Sequence, residues 1–379
     1  MLKILSVVKK EAVFFAALTC ALISMLFVKP SAAYLTYIDW NTLFMLFALM
    51  GVVAAFRSCG IFERAGLFIC SKFSSIRAIS FVLVMLCFFS SMLITNDVAL
   101  LTFVPLTLEL LGPAGHPLIL MFTVILQTLA ANTGSMLTPL GNPQNLFLYG
   151  KMGLPVFTFI SIILPYTVVS LVCLSLCMFF IPSGAKVPLL KSSFSARGTR
   201  FTSLLYGALF ILCLLAVVHI IPKWLCALLV FLALLFTDKK ILARIDYMLL
   251  LTFAAFFIFT GNIAAIKPVK DFLLGAVKGN EYVSALLSSQ IISNVPAALL
   301  LYPFSLGGLK DLLVGVNVGG LGTLVASLAS LISFKIYASE KKRLNLPSSA
   351  KYLLVFSCLN VLFLFILTGC KYLGASLIH

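Results

Sequence analysis

The chain has 379 residues, 62% of them hydrophobic and 10% charged, with a mean hydropathy of +1.17 and a formal net charge of +16. So much apolar sequence excludes a water-soluble globular protein and predicts a polytopic membrane protein. The basic excess does not predict a nucleic-acid partner, because Lys and Arg sit in short loops between apolar runs, where they set orientation.

About 20 apolar residues make one crossing. On that ruler, full spans are predicted at 11–28, 39–56, 155–181, 201–219, 222–237, 245–265 and 352–370. The first follows Lys3, Lys9 and Lys10 but is read as a retained span, not a signal peptide, because its apolar stretch is long and has a counterpart in the second half. Segments 117–149 and 311–335 carry polar runs in mid-course and are read as broken spans. Segments 79–111 and 281–305 each hold an Asn motif near the middle and are read as re-entrant hairpins.

These segments repeat. Thr95-Asn96-Asp97 matches Ser293-Asn294-Val295 at an offset of 198 (293 − 95), and Pro105 matches Pro303 at the same offset. Asn132-Thr133-Gly134 through Thr138 matches Asn317-Val318-Gly319 through Thr323 at 185 (317 − 132), and Ile38-Asp39-Trp40 matches Ile245-Asp246-Tyr247. The expected fold is therefore all-α, with two inverted-topology repeats of about five elements each and one re-entrant hairpin and one broken helix per repeat. Residues 1–181 form the first repeat, 182–221 a cytoplasmic linker and connector helix, and 222–379 the second repeat.

Loop charges set the orientation. With the N-terminus inside, the cytoplasmic loops take Arg57, Arg64, Lys72 and Arg77, then Lys186, Lys191, Arg197 and Arg200, then Lys239, Lys240 and Arg244, then Lys335, Lys341, Lys342, Arg343 and Lys351. Only Lys267, Lys270 and Lys278, partly balanced by Asp271 and Glu281, break the pattern. Making one hairpin a full crossing would reverse every later loop. The chain is thus expected to be a multi-pass protein of the cytoplasmic (inner) membrane with its N-terminus inside and its C-terminus outside. Trp40 and Trp224 then fall at the outer interface.

Freed backbone groups survive in a bilayer only where they line a cavity, so the helix breaks mark the expected binding site. A hairpin tip presents N–H groups at the start of one arm and C=O groups at the end of the other, attractive to an anion and a cation respectively. Thr95, Asn96, Ser293 and Asn294 supply oxygens suited to sodium, and no other metal site is expected. The broken spans add Asn132, Thr133, Gly134, Thr138, Asn142 and Asn145, and in the plainer second half Asn317, Gly319 and Thr323. Asp97 is the acidic residue near the midplane, where an ionised carboxylate costs about 2.5 to 3.5 kcal/mol by insertion scales. It either binds the coupling cation, carries a proton, or caps a helix starting at Val98. Glu109 is expected to be solvated, and His116, His219 and His379 receive no role.

Other chemistries lack their residues. The ten cysteines form no Cys-x-x-Cys pair and have no neighbouring His, which predicts neither zinc nor a disulfide framework. No midplane His, paired carboxylates or nucleophile with a base suggests an enzyme. No phosphate-binding loop of the Gly-x-x-x-x-Gly-Lys type occurs, so an energising ATPase would have to be a separate chain.

At Thr95-Asn96-Asp97, Asn132-Thr133-Gly134, Thr138-Pro139-Leu140-Gly141-Asn142-Pro143-Gln144-Asn145 and Ser293-Asn294-Val295-Pro296 the chain resembles the ion transporter superfamily. Within it, the likeness is to citrate-transporter-like permeases, divalent anion/sodium symporters and the arsenite-pump membrane subunit. The resemblance implies two hairpins in an inverted-repeat fold, a homodimer, and an elevator-like movement of the hairpin-bearing part. Dicarboxylate symporters of this group have tips similar to Ser-Asn-Thr. Here Asp97 and Val295 stand in the third positions and Thr95 replaces Ser, which weakens the dicarboxylate match.

The expected function is secondary active transport of an anionic or oxyanionic solute, carboxylate-type first, coupled to sodium or protons by alternating access. No organic cofactor is expected. Sodium/proton antiport and arsenite-type efflux stay open as alternatives.

Overall fold

The computed structural model describes residues 11–183, 200–305 and 307–376. Lys3, Lys9, Lys10, Lys186, Lys191, Arg197 and His379 lie outside them. Among the described residues there are 18 α-helices and no strand. Among the described residues seven helices are long and apolar enough to cross a bilayer. The protein is an all-α, multi-pass membrane protein.

In chain order the helices begin with α1 (Ala12–Met25), the single turn α2 (Tyr34–Tyr37), α3 (Trp40–Ser58) and α4 (Ile61–Cys70). Next come α5 (Ile76–Ile94), α6 (Asn96–Leu111), α7 (Pro117–Ser135), α8 (Pro143–Met152) and α9 (Val156–Cys177). Beyond the linker are α10 (Arg200–Val217), α11 (Lys223–Leu242), α12 (Tyr247–Ala265) and α13 (Lys267–Val277). The chain continues through α14 (Glu281–Ile292), α15 (Asn294–Leu301), α16 (Leu309–Val318), α17 (Leu328–Glu340) and α18 (Ser349–Ser376).

The predicted broken spans are interrupted between Ser135 and Pro143 and between Val318 and Leu328. Three expectations need correction. The segments around Arg64 and Lys267, read as loops, contain the helices α4 and α13. The first span is helical only from Ala12 to Met25. The arms of the first hairpin are each 19 residues long, enough for a full crossing, whereas the returning arm of the second, Asn294–Phe304, is not.

The helices gather into two compact units, each drawing on both halves of the sequence. The first contains the described residues 11–58, 200–284 and 296–312. In it α3 packs along α10 and α11, and α12 packs along α1. The Ile-Asp-aromatic pair has a structural explanation here. Asp39 Oδ1 accepts the Thr42 N–H at 3.0 Å and Asp246 Oδ1 accepts the Leu249 N–H at 2.9 Å. Each carboxylate caps the start of a long helix by satisfying one of its orphan donors. Asn262 ties α12 to its neighbours, its Nδ2 donating to Ser24 Oγ and the Tyr34 hydroxyl, both at 2.9 Å.

The second unit contains the described residues 59–183, 285–295 and 313–376. Helices α5, α6 and α7 pack against one another, and α17 packs on α6 and α7. Gly134 permits the close approach of α7 to α5, because a Cβ there would collide with the backbone carbonyl of Phe88. This unit contains both hairpin tips and both helix breaks of the broken spans.

Candidate functional site

The tips are single residues in an unusual conformation. Thr95 separates α5 from α6 with φ 69° and ψ 148°, and Ser293 separates α14 from α15 with φ 74°. A β-branched residue with positive φ is strained, and such strain clusters at functional sites. Each break is a single residue that is not glycine and carries a hydroxyl.

Each tip is held by the nearer broken span. The Asn96 N–H donates to Gly141 O at 3.1 Å, and the Asn294 N–H donates to Ala326 O at 3.0 Å. Gly141 and Ala326 are related by the offset of 185 (326 − 141), as are Thr138 and Thr323. Thr138 Oγ1 donates to Met92 O, and Thr323 Oγ1 donates to Gln290 O at 3.1 Å. Met92 and Gln290 are related by the tip offset of 198 (290 − 92). Two of the contacts that fix the tips are therefore made twice, once in each half.

These contacts correct one expectation. The first N–H of each returning arm is taken by a carbonyl, and the Asp97 N–H is bound by Asn96 Oδ1 at 3.0 Å. Pro296 has no N–H to offer. The tips present fewer backbone donors to an anion than an uncapped helix start would.

The two broken spans are joined through their amides. Asn132 Oδ1 accepts from Asn96 Nδ2 at 3.1 Å and from Ser327 Oγ at 3.0 Å, and its Nδ2 donates to Ser330 Oγ at 3.1 Å. Asn317 Oδ1 accepts from Asn142 Nδ2 at 3.2 Å, and its Nδ2 donates to Asn145 Oδ1 at 2.6 Å. Asn142 also caps α8, accepting the Asn145 N–H at 2.9 Å. All these side chains are buried. Polar groups at such depth are tolerated because nearly every one is paired.

Among the predicted residues, Asn96 thus contacts Asn132, and Asn317 contacts Asn142 and Asn145, the two groups being linked through Ser135, whose Oγ donates to Asn132 O and accepts from Asn142 Nδ2. Asn294 is bound through Ala326 and Thr323 through Gln290. Thr133 and Gly134 serve the helix instead. Thr133 Oγ1 donates to Leu129 O at 2.7 Å, and Gly134 faces Phe88. Gly319 lies against Leu286 and Ser289, and its carbonyl accepts from Gln290 Nε2 at 2.7 Å. Gln290 was missed from the sequence. Its Nε2 also donates to Leu321 O at 2.9 Å and its Oε1 accepts the Thr323 N–H at 3.0 Å, so it holds the second break open. A lone amide three residues before Ser293 in an apolar arm was the available signal.

Asp97 is half-buried in the first turn of α6, where a negative charge suits the positive end of the helix dipole. The reading in which it caps a helix starting at Val98 is corrected: α6 starts at Asn96, with Thr95 in the capping position. Glu109 is exposed. Among the described residues no Lys, Arg or His is buried, so the buried cluster is built from amides and hydroxyls without a cationic side chain.

A family model described as citrate transporter matches residues 1–326. An uncharacterized transporter of Methanocaldococcus jannaschii is 32% identical over 308 residues, covering 79% of this chain and 81% of that protein. The inner membrane protein YbiR of Escherichia coli is 32% identical over 336 residues, covering 85% and 87%. An uncharacterized transporter of Mycobacterium bovis is 24% identical over 349 residues, covering 79% of each.

Proposed function

The chain belongs to the citrate transporter family, and on that premise we propose that it is a secondary active transporter of an anionic or oxyanionic solute, a carboxylate first, driven by sodium or protons. The observation that carries this reading is the polar cluster formed where two strained tips meet two broken helices. Hydroxyl and amide oxygens at Thr95, Asn96, Ser293 and Asn294 are ligands suited to a small hard cation. The cluster is neutral, with most of its amides paired within the protein, and has no buried positive side chain.

Coupling follows from that charge distribution. Asp97 disfavours an anion nearby until a cation or proton neutralises it, so each ligand strengthens the binding of the other. Alternating access then exposes the loaded site on the other side of the membrane. The repeated contacts support reading the two halves as repeats. The loop charges favour a cytoplasmic N-terminus in an inner membrane, and the inverted arrangement and the dimer are what the family resemblance implies. A separate ATPase is not required by this scheme.

One observation favours a second reading. The first N–H of each returning arm is bound to a carbonyl, which lowers the capacity of the tips for an anion and leaves Asp97 as the titrating group of a sodium/proton antiporter.

Purified protein in liposomes separates the readings. Uptake of a labelled carboxylate driven by an imposed sodium or proton gradient supports the symporter. Sodium-dependent proton flux with no carboxylate present supports the antiporter. Flux of arsenite alone would move the assignment to an arsenite-type permease.

A further inference from the structure

The stretch from Asn142 to Asn145 carries three amide side chains, and two of them are fully committed to the protein. Asn142 caps α8 and donates to Ser135 and Asn317. Asn145 Nδ2 donates to the carbonyls of Ser135, Met136 and Thr138, and its Oδ1 accepts from Asn317. Gln144 is different. It is 1% exposed, and both its Oε1 and its Nε2 are buried without a hydrogen-bond partner in the protein. A buried amide with neither atom paired is unfavourable, and native structures rarely keep one without a purpose.

Packing does not demand an amide there. Gln144 corresponds to Ala329 at the offset of 185 (329 − 144), a fully buried apolar residue at the start of α17. The second half builds the same turn with a methyl group. Nor is Gln144 needed to close the break, since Asn142 and Asn145 do that. Its two free valences lie within the segment that connects the tip contact at Gly141 to the amide contacts at Asn317.

We infer that Gln144 is a solute-binding side chain and that it reads a neighbouring donor and acceptor on the solute. This rests on the transport reading above and deepens it. A primary amide offers one N–H and one C=O side by side. A bare carboxylate has only acceptors and would leave Oε1 facing negative charge. A hydroxyl next to a carboxylate, or a carboxyl that keeps its proton, matches both atoms at once. With no buried cation in the cluster, such matching rather than ion pairing selects the solute. A site whose buried polar atom is satisfied only by the substrate hydroxyl rejects the analogue that lacks it.

The test is the thermal midpoint of the purified full-length protein titrated with malate against succinate and citrate against tricarballylate, in sodium or choline, at neutral and acid pH. It is run on wild type and on Gln144→Met, which keeps length and removes both polar atoms. Wild type is expected to bind the hydroxylated member of each pair roughly ten- to a hundredfold more tightly, a difference of about 1.4 to 2.8 kcal/mol. If a protonated carboxyl is what is read, the preference disappears and all four acids gain affinity at acid pH. Gln144→Met is expected to abolish either pattern while its solute-free midpoint stays level or rises. Persistence of the wild-type pattern in Gln144→Met, or a fall in its solute-free midpoint, overturns the assignment and leaves the transport reading standing. Silence of wild type toward all four acids, with sodium or pH alone stabilising, overturns the carboxylate reading and this assignment with it.

Discussion

Asn132 and Asn317 hold each other's half of the sequence. Asn132 binds Ser327 and Ser330 of the second broken span, and Asn317 binds Asn142 and Asn145 of the first. Ser327 corresponds to Asn142 and Ser330 to Asn145 at the same offset that relates the two asparagines, 185. The exchange is therefore reciprocal, with serine hydroxyls on one side doing what amides do on the other.

Breaking either asparagine should be costly in proportion to the partners it strands. Asn132→Ala leaves Asn96, Ser327 and Ser330 without a shared partner, and we expect a loss of about 2 to 4 kcal/mol on the basis of roughly 1 to 3 kcal/mol per buried unsatisfied group. Chemical denaturation in detergent measures it. A double-mutant cycle with Ser330→Ala should show a coupling of about 0.5 to 3 kcal/mol, since the residues share a network. Strict additivity would remove Asn132 from it.

Asp97→Asn is expected to keep the fold and lose the dependence of transport on sodium or pH. The substitution preserves shape at the start of α6 and removes the charge. Initial uptake rates over a sodium series and a pH series decide the matter. Unchanged coupling would reduce Asp97 to a dipole-compensating residue.

Thr95→Gly should separate stability from activity. Glycine adopts positive φ freely, so the substitution should stabilise the protein by about 1 kcal/mol. Losing the hydroxyl at the tip should at the same time lower transport and its cation dependence. A fall in both stability and transport would mean that the threonine side chain holds the tip by packing.

Gly141→Ala is expected to fail where Gly207→Ala succeeds. A Cβ at Gly141 would strike the backbone carbonyl of Ser135, whereas nothing lies within 4 Å of one at Gly207. The first substitution should destabilise by about 1 to 3 kcal/mol or more and the second should be neutral or favourable by about 0.5 to 1 kcal/mol. Yield and thermal midpoint of the two variants provide the comparison.

Asp39→Ala and Asp246→Ala should each cost about 1 kcal/mol of stability, as the loss of a helix cap does. Their effect on the apparent affinity for solute should be small. A change in solute affinity with normal stability would show that this pair does more than start two helices.

The helix breaks were readable because a bilayer penalises polar residues so heavily that Asn132, Asn142, Asn294 and Asn317 stand out against their apolar surroundings. The repeat added a check that no single residue provides. Helices α4 and α13 were not readable as such: they are short, lie in charge-bearing segments, and carry too few apolar residues to register against a span-length ruler. Nor did residue type reveal whose hydrogen bonds were already used. Asn142 and Asn145 looked available and are spent within the protein, while Gln290, one amide in an apolar arm, holds three backbone groups of the second break.

The reciprocal exchange between the broken spans also limits how the protein can change shape. Four side-chain hydrogen bonds between buried residues, together with that of Thr128 to Ser333 at 2.6 Å, fasten the first broken span to the second. Parting the spans would sever all five, at several kcal/mol in all by the usual net value of about 1 kcal/mol per bond. Sliding one span past the other therefore carries a cost that moving the two together does not. On the proposed alternating-access scheme the two spans are expected to move together, so a disulfide engineered between positions 142 and 317 should leave transport intact, and loss of transport in the oxidised form that is restored by reduction would show that the spans part.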